Sequence, residues 1–133
     1  MTVLRVPSHL PDRTEELLRR VIGCCIEVHR ALGPGLHESA YNQAVAWELL
    51  SSGIRFERER PFEVLYRDHV VALHRLDFLI EDQIVLELKA VERIDRVHIG
   101  QALTYLRVSK RRVALVINFN VAMLRHGIRR LVL

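Results

Sequence analysis

The chain predicts an α/β (α+β) fold, a mixed β-sheet flanked by helices. Three observations carry this. Two helical periodicities fill the first third of the chain, and several short strands fill the middle. A third helical segment then leads into Val113-Ala114-Leu115-Val116-Ile117, an unbroken apolar run of the kind found in a strand buried on both faces. The 133 residues predict one domain, 1–133, long enough to enclose a core.

Residues 1 to 11 read as an irregular arm. Asp12-Arg13-Thr14-Glu15 reads as a capping box, with Asp12 as N-cap and Glu15 reaching back. The helix it opens runs to about Leu32, with Leu17, Leu18, Val21, Ile22, Cys25, Ile26 and Val28 at helical spacing. Gly33 fits the C′ position and Pro34 stops the helix. A second helix, about Leu36 to Ser51, has one stripe at Leu36, Ala40, Ala44 and Trp47 and another at Tyr41, Val45 and Leu49. Ile54–Arg60 reads as an edge strand or a loop, and Phe62–Tyr66 as a strand. Val70–Leu73 starts the next strand, which continues, bent near His74, into the Asp77 segment. Asp95 caps a third helix, about Arg96 to Val108. Ile128–Leu133 adds a last strand.

The chemistry gathers in Arg75-Leu76-Asp77-Phe78-Leu79-Ile80 and Ile84-Val85-Leu86-Glu87-Leu88-Lys89-Ala90, two apolar strands joined by the turn Glu81-Asp82-Gln83. Strand side chains alternate faces, so Val85, Glu87 and Lys89 share one side. Pairing of the two strands brings Asp77 beside Glu87. Buried acids and a buried lysine need partners. A divalent cation held by Asp77 and Glu87, with Lys89 beside an attacking water, supplies them. An ion-paired patch on a half-exposed sheet is the plainer alternative. Only Lys89 and Lys110 are lysines among many arginines. A lysine kept at 89 fits work that the broad, permanently charged guanidinium cannot do.

Composition narrows the class. Twenty basic residues against 16 acidic give a net charge of +4, which permits a polyanionic partner without requiring one. Arginines cluster at Arg55, Arg58 and Arg60, at Arg107, Arg111 and Arg112 with Lys110, and at Arg125, Arg129 and Arg130. No apolar run reaches membrane-spanning length, and the N-terminus has no signal-peptide core. The adjacent Cys24 and Cys25 read as reduced core thiols of a cytoplasmic protein, not as a zinc site.

An acid on an early helix, Asp77 on a strand, Glu87-Leu88-Lys89 on its partner and Gln101-Ala102-Leu103-Thr104-Tyr105 on the next helix form an ordered set. This order resembles the PD-(D/E)XK nuclease superfamily, and the QxxxY element resembles its RecB-like exonuclease branch. Gly35-Leu36-His37-Glu38-Ser39-Ala40-Tyr41 resembles the signature of the GxxExxY protein family, small stand-alone members of that superfamily. The resemblance runs from the first helix through Asn118-Phe119 and implies a restriction-endonuclease-like fold. The proline usual before the first Asp is absent, with Leu76 in its place.

The resemblance implies a metal-dependent nuclease hydrolysing phosphodiester bonds, in DNA ahead of RNA, with Mg²⁺ or Mn²⁺ as cofactor. Glu38 matches the helical acid that meets the metal directly or through water. Asp77 and Glu87 match the metal-binding acids, and Lys89 the residue that orients or activates water. Gln101 and Tyr105 match the residues that support the site and the nucleic acid. Tyr41, His98, Arg107, Lys110, Arg111 and Arg112 are assigned to nucleic-acid binding; His98 has no fixed counterpart in the superfamily, and the four basic residues are expected to lead a strand toward the site. No base-reading module is visible, so backbone and shape recognition is expected, with a homodimer or a partner protein supplying specificity. The alternatives are a non-cleaving nucleic-acid-binding protein that keeps the fold, and a regulatory or structural partner in a larger complex.

Overall fold

The structure, a computed structural model, describes residues 10–133. Of the expected N-terminal arm, residues 1–9 lie outside the described part. Helix α1 spans Asp12–Leu32 and α2 spans Glu38–Ser51. Leu17, Leu18, Val21, Cys25 and Val28 are buried, as the spacing of α1 predicts. Gly33 ends α1 with φ of +68° and donates its N–H to the His29 carbonyl at 2.7 Å, a backbone region that penalises any residue with a Cβ.

The start of α1 corrects the sequence reading. Pro11 is the N-cap and no side chain among the described residues caps the helix, so Asp12 and Glu15 form no capping box. Glu15 is drawn instead into a two-point ion pair with Arg130 on the last strand. A bidentate guanidinium–carboxylate contact is stronger than one bond to a backbone N–H open to water. On α2 the Tyr41, Val45 and Leu49 stripe is the buried one, whereas Trp47 is 72% exposed.

Five strands form a mixed sheet in the order β1-β4-β5-β6-β7. They are β1 (Phe56–Arg58), β4 (Phe78–Ile80), β5 (Ile84–Lys89), β6 (Val113–Asn118) and β7 (Ile128–Val132). The segment after Ile54 is thus an edge strand, pairing antiparallel with β4. β5 and β6 are parallel, and helix α3 (Arg96–Ser109) makes the crossover such a pair needs. β4–β5 and β6–β7 are antiparallel.

β2 (Pro61–Tyr66) and β3 (His69–Arg75) form a separate hairpin, irregular between Val64 and Leu65. The strand expected to run from Val70 through Asp77 is therefore broken. β3 pairs with β2, while β4 must pair with both β1 and β5, and one continuous strand cannot follow both twisted sheets. The Leu76 N–H turns to the Arg60 carbonyl at 3.2 Å, which leaves Asp77 at the junction. Leu65, Tyr66, Val70, Val71 and Leu73 of the hairpin are exposed.

Each face of the main sheet carries its own apolar cluster. Ile84, Leu86 and Leu88 of β5 pack with α1 and α2, and Val85 packs with Ala102 and Leu106 of α3. Asp95 caps α3 as expected, accepting from the N–H groups of Val97 at 2.9 Å and His98 at 3.3 Å. His98 closes this box, its Nδ1 accepting from the Asp95 N–H at 3.0 Å.

Candidate active site

Alternation along β5 places Glu87 and Lys89 with Val85 on the α3 face, at the strand's C-terminal end. The junction before β4 brings Asp77 against them. Glu87 Oε1 accepts from the backbone N–H of Asp77 at 3.2 Å, and Asp77 Oδ2 accepts from the backbone N–H of Leu88, the residue after Glu87, at 2.9 Å. Glu87 is only 5% exposed. Burial, then the charge of Asp77, pushes its carboxyl up to about 9. Burial also raises Asp77, against the opposing pull of the Leu88 N–H and Lys89. The pair therefore retains a proton near neutral pH, because two adjacent carboxylates cannot both ionise cheaply out of water.

Glu38 opens α2 and shares a cleft of about 470 Å³ with Asp77. Partial burial and Asp77 raise its carboxyl, and Lys89 and His37 act against them. Lys89 is half-buried and its charge reaches Glu38, Asp77 and Glu87, yet it forms no ion pair among the described residues.

Hard oxygen donors from two touching carboxylates suit a divalent cation such as Mg²⁺, which takes one or two carboxylates and keeps several waters. Among the described residues no three His, Cys, Asp or Glu side chains gather as a ready metal cage. Glu38 thus stands near the pair, across the shared cleft, without joining it.

On α3, Tyr105 faces the pair: partial burial, then Glu87 and Asp77, raise its hydroxyl. The ring also meets His74 of the hairpin edge-on, with centroids 5.1 Å apart. Gln101 is exposed one turn nearer the helix N-terminus. His98 lies a further turn-fraction back, half-buried and held by its cap bond.

Two assignments are corrected. Tyr41 has no exposed surface and stacks on Phe119 at 4.5 Å, so no nucleic acid can reach it. Its hydroxyl donates to the Gly33 carbonyl at 2.6 Å and accepts from the Leu36 N–H at 3.1 Å. Gly35 turns with φ of +100° inside the loop so held. Gly35, Glu38 and Tyr41 thus have a joint physical role: the glycine turns, the tyrosine locks the turn, and Glu38 is presented at the start of α2. Tyr41→Phe should cost about 1–2 kcal/mol, the scale of a buried bond that leaves a partner unmet. Thermal unfolding measures this, and nucleic-acid affinity should stay unchanged.

The basic group at the end of α3 is the second correction. Because β5 and β6 are parallel, the residues entering β6 lie at the opposite end of the sheet from Lys89. Arg111 is bound to Asp82 in the β4–β5 turn, at that far end. Arg107 bonds Thr104 on its own helix. Lys110 is the left-handed C-cap of α3, and Arg112 precedes β6. These residues do not lead toward the acids.

The sequence reading missed Asn118, which is 1% exposed and sits opposite Lys89. Its side chain donates to the Val91 carbonyl at 2.8 Å and accepts from the Val91 N–H at 3.1 Å, while the Phe119 N–H donates to the Lys89 carbonyl at 2.9 Å. Together they fix the strand end that carries Lys89. A polar residue closing the apolar run 113–117 was the available signal. Gly127 lies against this point, where an added Cβ would fall 2.2 Å from the Asn118 carbonyl oxygen.

The acid pair sets a pH dependence for the metal-free protein. Glu87 is raised in the folded state, so its stabilising contribution is complete below the ordinary carboxylate value and is lost as pH rises through about 9. Denaturation in chelator should therefore show stability falling from about pH 5.5 to about pH 8, by at most about 1.4 kcal/mol per pH unit for one proton. Glu87→Gln should flatten that slope.

No helix among the described residues is long and apolar enough to cross a membrane. Comparison with curated proteins gave no match. The family model described as the PD-(D/E)XK nuclease superfamily matches residues 15–131, from the first turn of α1 into β7, and so spans every element that builds the site. With this match and a five-stranded mixed sheet flanked by helices, restriction-endonuclease-like in build, the chain belongs to the PD-(D/E)XK nuclease superfamily.

Proposed function

We propose that the chain is a Mg²⁺- or Mn²⁺-dependent nuclease that hydrolyses phosphodiester bonds in nucleic acid, with DNA preferred to RNA. Superfamily members are generally nucleases that use divalent metal ions. The observation that supports the reading for this chain is the buried Asp77–Glu87 pair, held by the N–H groups of Asp77 and Leu88, with Lys89 close by and in no ion pair among the described residues. Asp77 and Glu87 would hold the ion, with Glu38 reaching it through water. When bound, the ion supplies charge neutralisation at a non-bridging phosphate oxygen and a more acidic water. Lys89 orients the attacking water and offsets charge that develops on the phosphate. Gln101 is free to hold a phosphate oxygen or a bound water. Tyr105 offers a hydroxyl and a ring surface beside the site.

Gly35-x-x-Glu38-x-x-Tyr41 and Gln101-x-x-x-Tyr105 support a place among GxxExxY proteins and the RecB-like branch. The buried free thiols of Cys24 and Cys25 fit a reducing, cytoplasmic setting. Sequence selectivity is left to a second copy of the chain or to a partner protein, and the oligomeric state in solution separates these.

Labelled single- and double-stranded DNA and RNA, incubated with Mg²⁺ or Mn²⁺ and with chelator as control, test the function. Cleavage that needs the metal and is fastest on DNA is the expected result. Binding without cleavage of any substrate would establish the non-cleaving alternative.

A further inference from the structure

We propose that Arg58 is a phosphate-binding residue, holding a backbone phosphate next to the scissile one on the α2 side of the sheet's end. The inference rests on the nuclease reading of the same site. Arg58 ends the edge strand β1 directly opposite Phe78, the residue after Asp77. Opposed residues of an antiparallel pair project from the same face, so Arg58 shares the face that Phe78 turns toward α1 and α2. Its guanidinium lies 5.4 Å from the Phe78 ring centroid and donates to Gln43 Oε1 on α2 at 3.3 Å.

Arg58 lines the cleft that holds Glu38 and Asp77, together with Asn42 and Glu59, and is the one guanidinium among its described lining residues. Three carboxylates share this cleft with it, yet Arg58 forms no ion pair among the described residues. Neighbouring arginines are neutralised: Arg55 pairs with Glu81, and Arg60 with Glu57 and Asp82. A guanidinium aimed by a ring and an amide, but left without a carboxylate, is available to an external anion. Its planar fork matches phosphate oxygens. A nucleic-acid strand approaching the acids meets repulsion from Glu38 and Glu59, and Arg58 is placed to offset it. Tyr105 and Gln101 stand on the other face of the sheet, so the strand would cross the sheet's end from the α2 cleft to α3.

The test measures binding of a labelled DNA oligonucleotide, single-stranded and duplex, with Ca²⁺ replacing Mg²⁺ so that binding is read without turnover. Arg58→Gln should weaken binding about five- to eightfold at roughly 0.1 M salt and lower the salt slope by about 0.7 to 0.9, the counterion release of one phosphate contact. Arg58→Lys should restore the slope, because it keeps the charge. Arg55→Gln, whose parent side chain is paired at the far end of β1, should change neither quantity. A wild-type slope in Arg58→Gln, with wild-type protein binding and cleaving, would overturn the Arg58 inference alone. Wild-type protein that neither binds nor cleaves any nucleic acid would overturn both the inference and the nuclease reading beneath it.

Discussion

Lys89→Ala should keep the fold, the metal affinity and the nucleic-acid affinity, yet lose about a hundredfold or more in cleavage, the usual scale for one positioned electrostatic or proton-transfer group. The geometry favours this outcome over loss of stability. Among the described residues Lys89 forms no ion pair whose removal would strand a carboxylate, although its charge is felt by three of them. Its backbone stays tied to Phe119 through the carbonyl whatever the side chain. A group that acts in the transition state lowers kcat and leaves ground-state binding nearly alone. Lys89→Arg should rescue little, because the wide guanidinium would close onto Asp77 or Glu87 instead of leaving room for water. Melting temperature and single-turnover cleavage of both variants decide the matter. A destabilised Ala variant beside a fully active Arg variant would return Lys89 to an ordinary ion-pairing role.

Asp77→Asn should be no less stable than wild type without metal, and should lose both cleavage and metal-induced stabilisation. Asparagine keeps a carbonyl oxygen where Asp77 Oδ2 accepts from the Leu88 N–H, and the backbone bond from Asp77 to Glu87 does not involve the side chain. What disappears is the charge that, after burial, raises Glu87. A smaller cost of keeping Glu87 protonated offsets the weaker, neutral hydrogen bond. In wild type, metal at about a hundredfold its Kd should add about 2.7 kcal/mol of stability. The variant should show little of this rise in a thermal melt taken with and without Mn²⁺. Equal stabilisation of the two proteins would remove Asp77 from the ligand set.

The order of elements and the strand positions of the candidate acids were legible because both rest on local patterns. Helical spacing in α1, the apolar run of β6 and the alternation around Glu87 and Lys89 each survive into the structure. What the sequence hid depends on distant partners. Glu15 is taken by Arg130 at the other end of the chain, so its capping geometry never forms. The Val70–Asp77 stretch reads as one strand because nothing local says that its halves join different sheets. Tyr41 looks like a surface aromatic beside Glu38 until the Gly33 turn is seen folded over its hydroxyl. The basic group from Arg107 to Arg112 was misplaced because the parallel direction of β6 is a tertiary fact. Arg58 could not be singled out from Arg55 and Arg60, since only the folded arrangement shows which of the three has no carboxylate partner among the described residues.

The parallel pairing of β5 with β6 has a consequence for how activity arises during synthesis. Every candidate catalytic residue, from Glu38 to Tyr105, is already made before the first residue of β6. Yet the C-terminal end of β5 is set by Asn118 and Phe119, which follow that strand. Pairing across a whole crossover helix must first meet the entropy of closing a long loop, so such contacts form cooperatively and late. Until then Glu87 is solvated and ionises like any glutamate, and no raised acid pair exists. A nascent chain carrying all the candidate catalytic side chains would therefore lack the assembled site, and the proposed activity would arise only once enough chain is made to finish the sheet.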